Sequence, residues 1–379
     1  MTLVLNEEQV MLRDAASDFL TNRAPLSHFR ELRDKRDDIG FSADLWAEMV
    51  EMGWSSIIIP EQYGGLDYGY TGLGLILEEC GRTLSPSPLI STALLGTSAL
   101  LLSGNDALCE HWLPGVCSGE NLLTTAFDES PVHRPTQVQT VAVSADGGYR
   151  INGTKLAIPD GKTADAFVIS ARKQTADLST GEICLFLLPA NTKGIQLDST
   201  PVLDNRHLCN IRLQDVVVSE SHRLGQTDEG LQLLEAIMDR GRVGMAAEML
   251  GIAQECFKRT MEYMKERKQF GVPIGSFQAL QHRAATLFGE IELSKSVVLR
   301  ALQAIDENSD QVPVLASLAK AKCGLTAELA TAEAIQMHGG IGMTDEFDLG
   351  FFIKRWRSLN QQLGDPRYHL DRFASLRAY

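Results

Sequence analysis

Residues 266–283 read ERKQFGVPIGSFQALQHR. Upstream, apolar positions recur at helical spacing through LQLLEAIMDRGRVGMAAEMLGIAQECFKRTMEYMKERKQ (231–269), and downstream the same period resumes in SFQALQHRAATLFGEIELSKSVVLRALQAI (276–305) and PVLASLAKAKCGLTAELATAEAIQMH (313–338). Glycine and proline end one helix here and let the next begin, so the stretch predicts a corner between long helices. A helical region therefore fills residues 229–379.

Upstream of that region the pattern changes. VQTVAVSADGGYRINGTKLAI (138–158), DAFVISAR (165–172), ICLFLLPA (183–190) and LCNIRLQDVVVS (208–219) are short β-rich runs. They are separated by DGG, NG, DGK and STGE, which predicts an antiparallel β domain with hairpins over residues 121–228. Residues 1–120 return to helical spacing in EEQVMLRDAASDFL and SADLWAEMVEMGW, punctuated at IIIPEQYGGLDYG and TLSPSPLIS. The fold class is α+β, in the order helix, β, helix, with no internal repeat.

Composition excludes several classes. The 379 residues carry 44% hydrophobic and 22% charged side chains, in the range of globular proteins with real cores. A net charge of -14 argues against a nucleic-acid partner. Apolar stretches such as SALLLSG are too short to span a bilayer, and MTLVLNEEQVMLRD lacks the layout of a secretory signal. Seven cysteines, scattered and without a CxxC pair, argue against disulfides or structural zinc and fit a reducing cytoplasm. There is no GxxxxGK[ST], and no GxGxxG follows a strand and opens a helix, so neither a P-loop nor a Rossmann site is expected.

Three segments together resemble the signatures of the acyl-CoA dehydrogenase family: residues 266–283, AIQMHGGIGMTDEF (334–347) and GWSSIIIPEQYGGLDYG (53–69). Their order and spacing match, and the layout matches along essentially the whole chain. The resemblance implies a helical domain, a β domain and a C-terminal four-helix bundle, with FAD as cofactor. It also implies oxidation of an acyl-CoA thioester to its 2,3-enoyl form: a carboxylate removes the α-proton and the β-hydrogen passes to the flavin. An electron-transfer acceptor protein would take the electrons on. Family members are dimers or tetramers that hold the adenine end of FAD across a subunit interface, here through Arg267, Gln269, Phe270, Gln336, Gly339 and Gly340. The chemistry suits the residues: an Arg for pyrophosphate, an aromatic ring for adenine, and glycines for close backbone approach. Asp239 and Arg242 are implied at the pantetheine or acyl portion.

The chain departs from the family at the reactive end. The TEPxxGSD-like segment is TAFDESPVHRP (125–135), and the KxWITN strand is KLAIPD (155–160). Ala157 removes an aromatic surface; Pro159 removes a hydroxyl and a backbone N–H. The YEGT-like stretch that carries the catalytic Glu aligns with QLGD (362–365), so Leu363 offers only its backbone N–H, which in the family helps hold the thioester carbonyl. The alternative Glu position, on the first long helix before an Arg, is Gly241. Two acids remain as candidate bases. Asp365 precedes Pro366, a turn pair. Glu248 lies seven residues after Gly241, roughly 10 Å along the helix.

These losses resemble acyl-CoA dehydrogenases built from two related subunits, of the pimeloyl-CoA or steroid side-chain type, in which a partner carries the base. Two other readings stay open: a self-sufficient homo-oligomer using Asp365 or Glu248, and a CoA-thioester-binding scaffold without flavin. The acyl group itself is not legible.

Overall fold

The computed structural model describes residues 3–145, 147–174, 181–226 and 228–379. Its helices are α1 (Glu7–Arg23), α2 (Leu26–Lys35), α3 (Ala43–Glu51), α4 (Tyr70–Thr83), α5 (Thr97–Ser103), α6 (Asp106–Ser118), α7 (Gly230–Glu266), α8 (Gln278–Asp306), α9 (Val312–His338), α10 (Leu349–Gln361) and α11 (Pro366–Leu376). Its strands are β1 (Leu123–Ala126), β2 (Val141–Ala145), β3 (Gly148–Pro159), β4 (Ala166–Lys173), β5 (Ile183–Pro189), β6 (Ile195–Pro201), β7 (His207–Ser219), β8 (Arg223–Leu224), β9 (Lys268–Gln269) and β10 (Val272–Pro273). The described residues pack as two units: a helical unit of Met1–Glu31, Tyr70–Ser85 and Arg242–Tyr379, and a β unit of Leu32–Gly69 and Pro86–Gly241.

In the helical unit, the predicted long runs appear as α7, α8 and α9. α8 packs along α9, α9 receives α10 and α11, and α4 lies against α1 and α8. The crossing of α4 with α7 is set by two glycines. A Cβ on Gly81 would stand 2.0 Å from the Glu248 carbonyl oxygen, and one on Gly251 would stand 1.8 Å from that of Glu78. The two backbones touch, and only glycine permits it.

The β unit holds an eight-stranded sheet in the order β6-β7-β3-β2-β4-β5-β8, with β1 beside β4. Tyr149, Ile151, Phe167, Ile169, Phe186, Leu188 and Ile211 build its core. β5 is buried nearly throughout, as its unbroken run ICLFLLP implies for a strand covered on both faces.

The sheet is antiparallel in its main ladders, as expected, with two parallel pairings added. β1 runs parallel to β4 from Leu123↔Ala166, and β2 joins β4 in parallel at Val141↔Arg172. Hairpin signals report only neighbours in sequence, and these pairings are non-local. β2 and β3 pair antiparallel from Ala145↔Gly148; Asp146 of DGG lies outside the described residues. The NG pair makes no hairpin: the register shifts between Ile151 and Gly153, and Asn152 exchanges hydrogen bonds with Asp215 instead. This is a bulge, where an unpaired residue is absorbed without ending the strand. Part of STGE lies outside the described residues.

Candidate active site

The QLGD stretch is a tight turn between α10 and α11. Leu363 is buried and left-handed (φ 54°), and Gly364 follows at φ 103°. For a leucine that conformation costs on the order of 1–3 kcal/mol and persists only where its surroundings fix it. A Cβ on Gly364 would meet the Tyr368 ring at 2.5 Å and His369 Nε2 at 2.9 Å, so the glycine is required.

The surroundings that fix the turn are buried donors. Arg242 Nε donates to the Leu363 carbonyl at 3.3 Å, and another of its nitrogens donates to the Tyr368 hydroxyl at 3.3 Å. Its guanidinium lies 5.6 Å over the Tyr368 ring, a cation–π contact. His369 Nε2 donates to the same Leu363 carbonyl at 3.0 Å. Lys320 donates to the carbonyls of Gly364 (2.9 Å) and Asn360 (3.3 Å). Burial, with Arg242 nearby, brings the Lys320 ammonium down to about 7. Burial, Lys320 and Arg242 hold His369 far below its ordinary value, so its ring is neutral.

Both candidate bases are engaged elsewhere. Asp365 caps α11, accepting from the Tyr368 backbone N–H at 2.9 Å, with Pro366 in the first turn. Glu248 is 2% exposed and accepts from Arg355 with both oxygens, at 2.6 and 2.9 Å. The geometry of this unit aims neither carboxylate at an open site. Asp239 is buried on α7 within the β unit.

The expected adenine-end residues lie in the helical unit. β9 and β10 form a hairpin whose two-residue tip, Phe270 and Gly271, has φ 54° and 80°. Positive φ at both positions is the mark of a type I′ turn. The turn presents Phe270 at 93% exposure, and Arg267 and Gln269 are exposed beside it. Gln336, Gly339 and Gly340 are exposed at the end of α9, where a Cβ on either glycine would meet nothing within 4 Å. Tyr263 joins the two segments: it stacks on His338 at 4.2 Å, and its carbonyl accepts from the Arg267 N–H at 2.8 Å. Open glycine backbone, an exposed ring and an exposed guanidinium suit the adenine and pyrophosphate of a flavin nucleotide.

The reactive-end segments differ. In β3 the register against β7 shifts between Lys155 and Ile158, and Ala157 is left-handed (φ 55°) with its N–H donated to Asn210 at 3.1 Å. The Pro159 carbonyl accepts from Thr124 at 2.7 Å. Lys155 is fully buried, bound to Glu129 at 2.6 Å and Ser170 at 2.9 Å, and His133 meets Asp128 at 2.9 Å. These side chains bind one another, and Ala157 and Pro159 present neither a ring nor a hydroxyl.

Lys320 was absent from the residues expected at the site, and Tyr368 and His369 carried no assigned role. A signal existed for Lys320: it falls among Ala316, Ala319, Cys323 and Ala327, a lysine on the apolar face of α9.

Models of the acyl-CoA dehydrogenase N-terminal, middle and C-terminal domains match residues 6–120, 133–216 and 228–373. A probable acyl-CoA dehydrogenase of Bacillus subtilis, YngJ, is 31% identical, covering 92% of each chain. The solved Tcur3481-Tcur3483 steroid ACAD is 28% identical with a TM-score of 0.87, covering 100% of this chain and 99% of that one. PigA with FAD and proline superposes with a TM-score of 0.92 at 22% identity, covering 100% and 99%, a likeness of fold. With every segment of the layout matched, this chain belongs to the acyl-CoA dehydrogenase family.

Proposed function

We propose that this chain is the base-lacking subunit of a heteromeric, FAD-dependent acyl-CoA dehydrogenase, working in the cytoplasm beside a related subunit that carries the catalytic carboxylate. One observation carries the reading. The turn that holds the family's Glu holds Leu363 here, and the nearby acids Asp365 and Glu248 are a helix cap and half of a buried ion pair. The likeness to the Tcur3481-Tcur3483 steroid ACAD supports a pairing with a second chain. No helix among the described residues is long and apolar enough to cross a membrane, which suits an enzyme of soluble thioesters.

In this reading residues 1–120, 121–228 and 229–379 act as the three family domains. Bound FAD supplies the hydride acceptor, and electrons leave to an acceptor protein. Arg267, Gln269 and Phe270, with Gln336, Gly339 and Gly340, hold the adenine end of a flavin across an interface. The Leu363 N–H donates to the thioester carbonyl, stabilising the charge that develops there as the α-proton leaves. Asp239 and Arg242 face the pantetheine or acyl portion. The partner's carboxylate takes the proton, because a base must lie within hydrogen-bond reach of it.

Purification of the tagged chain from its native host tests the reading. A stoichiometric, related subunit with a Glu in the YEGT-like position, and acyl-CoA oxidation by the pair, are expected. A homo-oligomer with full acyl-CoA dehydrogenase activity would overturn it.

A further inference from the structure

Within the helical unit, α1, α4, α7 and α8 enclose a cleft that shares no lining residue with the turn at 360–365 or the hairpin at 268–273. It has two chambers. One, of about 260 Å³, is walled by Leu5, Leu75, Val298, Leu299 and Leu302; the other, of about 420 Å³, is lined mainly by charged side chains. Arg13, Glu78, Glu292 and Lys295 line both, so the chambers meet there. An apolar space joined to a few convergent polar groups is the ordinary form of a small-molecule site.

The chemistry at the junction turns on Glu78. Its Oε1 accepts from Gln254 Nε2 at 2.8 Å, and its second oxygen has no hydrogen-bond partner among the described residues. Burial among the helices, with Glu79 beside it, brings the carboxyl up to about 7, although Gln254, Lys295 and Arg82 favour its charged form. A protonated Glu78 is therefore present at neutral pH, with an O–H to donate. The charge around it comes from all four helices: Arg13 and Asp14 on α1, Glu79 and Arg82 on α4, Lys258 on α7, Glu292 and Lys295 on α8. With Glu78 neutral, four cations stand against three acids. Arg13 meets Asp14 at 2.7 Å and Lys295 meets Glu292 at 3.1 Å, exposed pairs of little strength that a ligand can replace. Arg82 lies 3.6 Å from both Glu79 and Glu255, and Lys258 has no partner among the described residues. An anionic head suits this junction. An ammonium head would need Glu78 ionised and would face the four cations.

We propose that this cleft binds an aliphatic monocarboxylate, its chain among Leu75, Val298 and Leu302 and its carboxylate between Arg13, Lys295 and the Glu78 carboxyl. The Glu78 O–H donates to the ligand, so two carboxyl groups share one proton, the arrangement that lets like acids occupy one site. Such a charge-assisted bond is stronger than a neutral one. None of these residues belongs to the flavin or thioester positions, and the inference does not rest on the acyl-CoA reading above.

Calorimetric titration of decanoate into the chain in its native assembly tests the proposal. A 2,3-enoyl-CoA is present at saturation, so that an acyl pocket cannot take the probe. Expected is one decanoate per chain, held about tenfold more weakly at pH 8 than at pH 6, because only the fraction with Glu78 protonated is competent. Glu78→Gln, which keeps a neutral donor at every pH, should bind decanoate and lose that pH dependence. Lys295→Met removes a charge-assisted contact, and Ser296→Trp fills the apolar chamber; both positions are exposed, and each change should weaken binding about tenfold or more. If one of the two does not fold, the other decides. Decanoate binding unaltered by these variants would place the probe elsewhere and overturn the proposal, as would no binding at all. Decylammonium bound in preference to decanoate, and more tightly as pH rises, would overturn the anionic assignment.

Discussion

Two places in the helical unit are built in opposite ways. The hairpin at residues 268–273 and the glycines at 339 and 340 present an exposed ring and open backbone to their surroundings. The turn at residues 360–365 is gripped from within: Leu363 and His369 are buried, Asp365 caps a helix, and Arg242 and Lys320 donate to carbonyls. The first place faces outward. The second is closed on itself, with its side chains and carbonyls bound to one another. The difference teaches that a turn with no carboxylate at position 363 can still be held rigidly from within, by the buried donors Arg242, Lys320 and His369.

Substitutions that attack one place and spare the other sharpen the contrast. The largest effect is expected from Glu248→Gln. Removing one partner of the buried Glu248–Arg355 pair leaves a guanidinium without its counter-charge, which costs about 3–5 kcal/mol. Urea denaturation should show the unfolding free energy lowered by that amount, read as a fall in midpoint at unchanged m. A stable protein with abolished chemistry would instead mark Glu248 as a base.

Next comes Arg267→Ala at the exposed place. A charge-assisted hydrogen bond is worth roughly 1.5–3 kcal/mol, so flavin should be held about ten- to a hundredfold more weakly by the complex, with the melting of this unit little changed. Flavin fluorescence released on dilution measures it, and unchanged retention would remove Arg267 from the cofactor site.

A pH dependence is expected as well. The folded Lys320 titrates near 7 against an ordinary 10.5, so between those values the unfolded chain binds the extra proton. Stability contributed through this group therefore rises from pH 7 toward pH 10.5. Lys320→Met should flatten that part of the stability-pH curve, and a curve of unchanged slope would contradict the assignment.

The smallest effect belongs to Asp365→Asn. Asparagine caps a helix about as well as aspartate, so stability should hold. Activity of the complex should stay within about tenfold of wild type, below the roughly hundredfold loss that marks a missing acid or base.

Much of this was legible in the sequence. The long runs of α7, α8 and α9 were plain from their period, and the Asp-Pro pair foretold a turn at Asp365, where the structure adds a helix cap. The parallel pairing of β1 with β4 was not legible, because nothing in either strand's own residues names a partner some forty positions away in the chain. The NG bulge deceived for a related reason: Asn-Gly favours a turn, and the Asp215 side chain on β7 supplies the alternative. At the site, the absence of a carboxylate at 363 was readable, but its replacement by a three-donor grip was not. Lys320 and His369 reach Leu363 and Gly364 only through the packing of α9 and α11.

The most direct test of the central claim is the visible absorption spectrum of this chain purified alone, then titrated with acyl-CoA. The account predicts less than one tightly held flavin per chain and no bleaching of the flavin band, because neither a complete flavin site nor a base is present without the partner. One tight flavin per chain in a homo-oligomer, bleached stoichiometrically by an acyl-CoA, would contradict it.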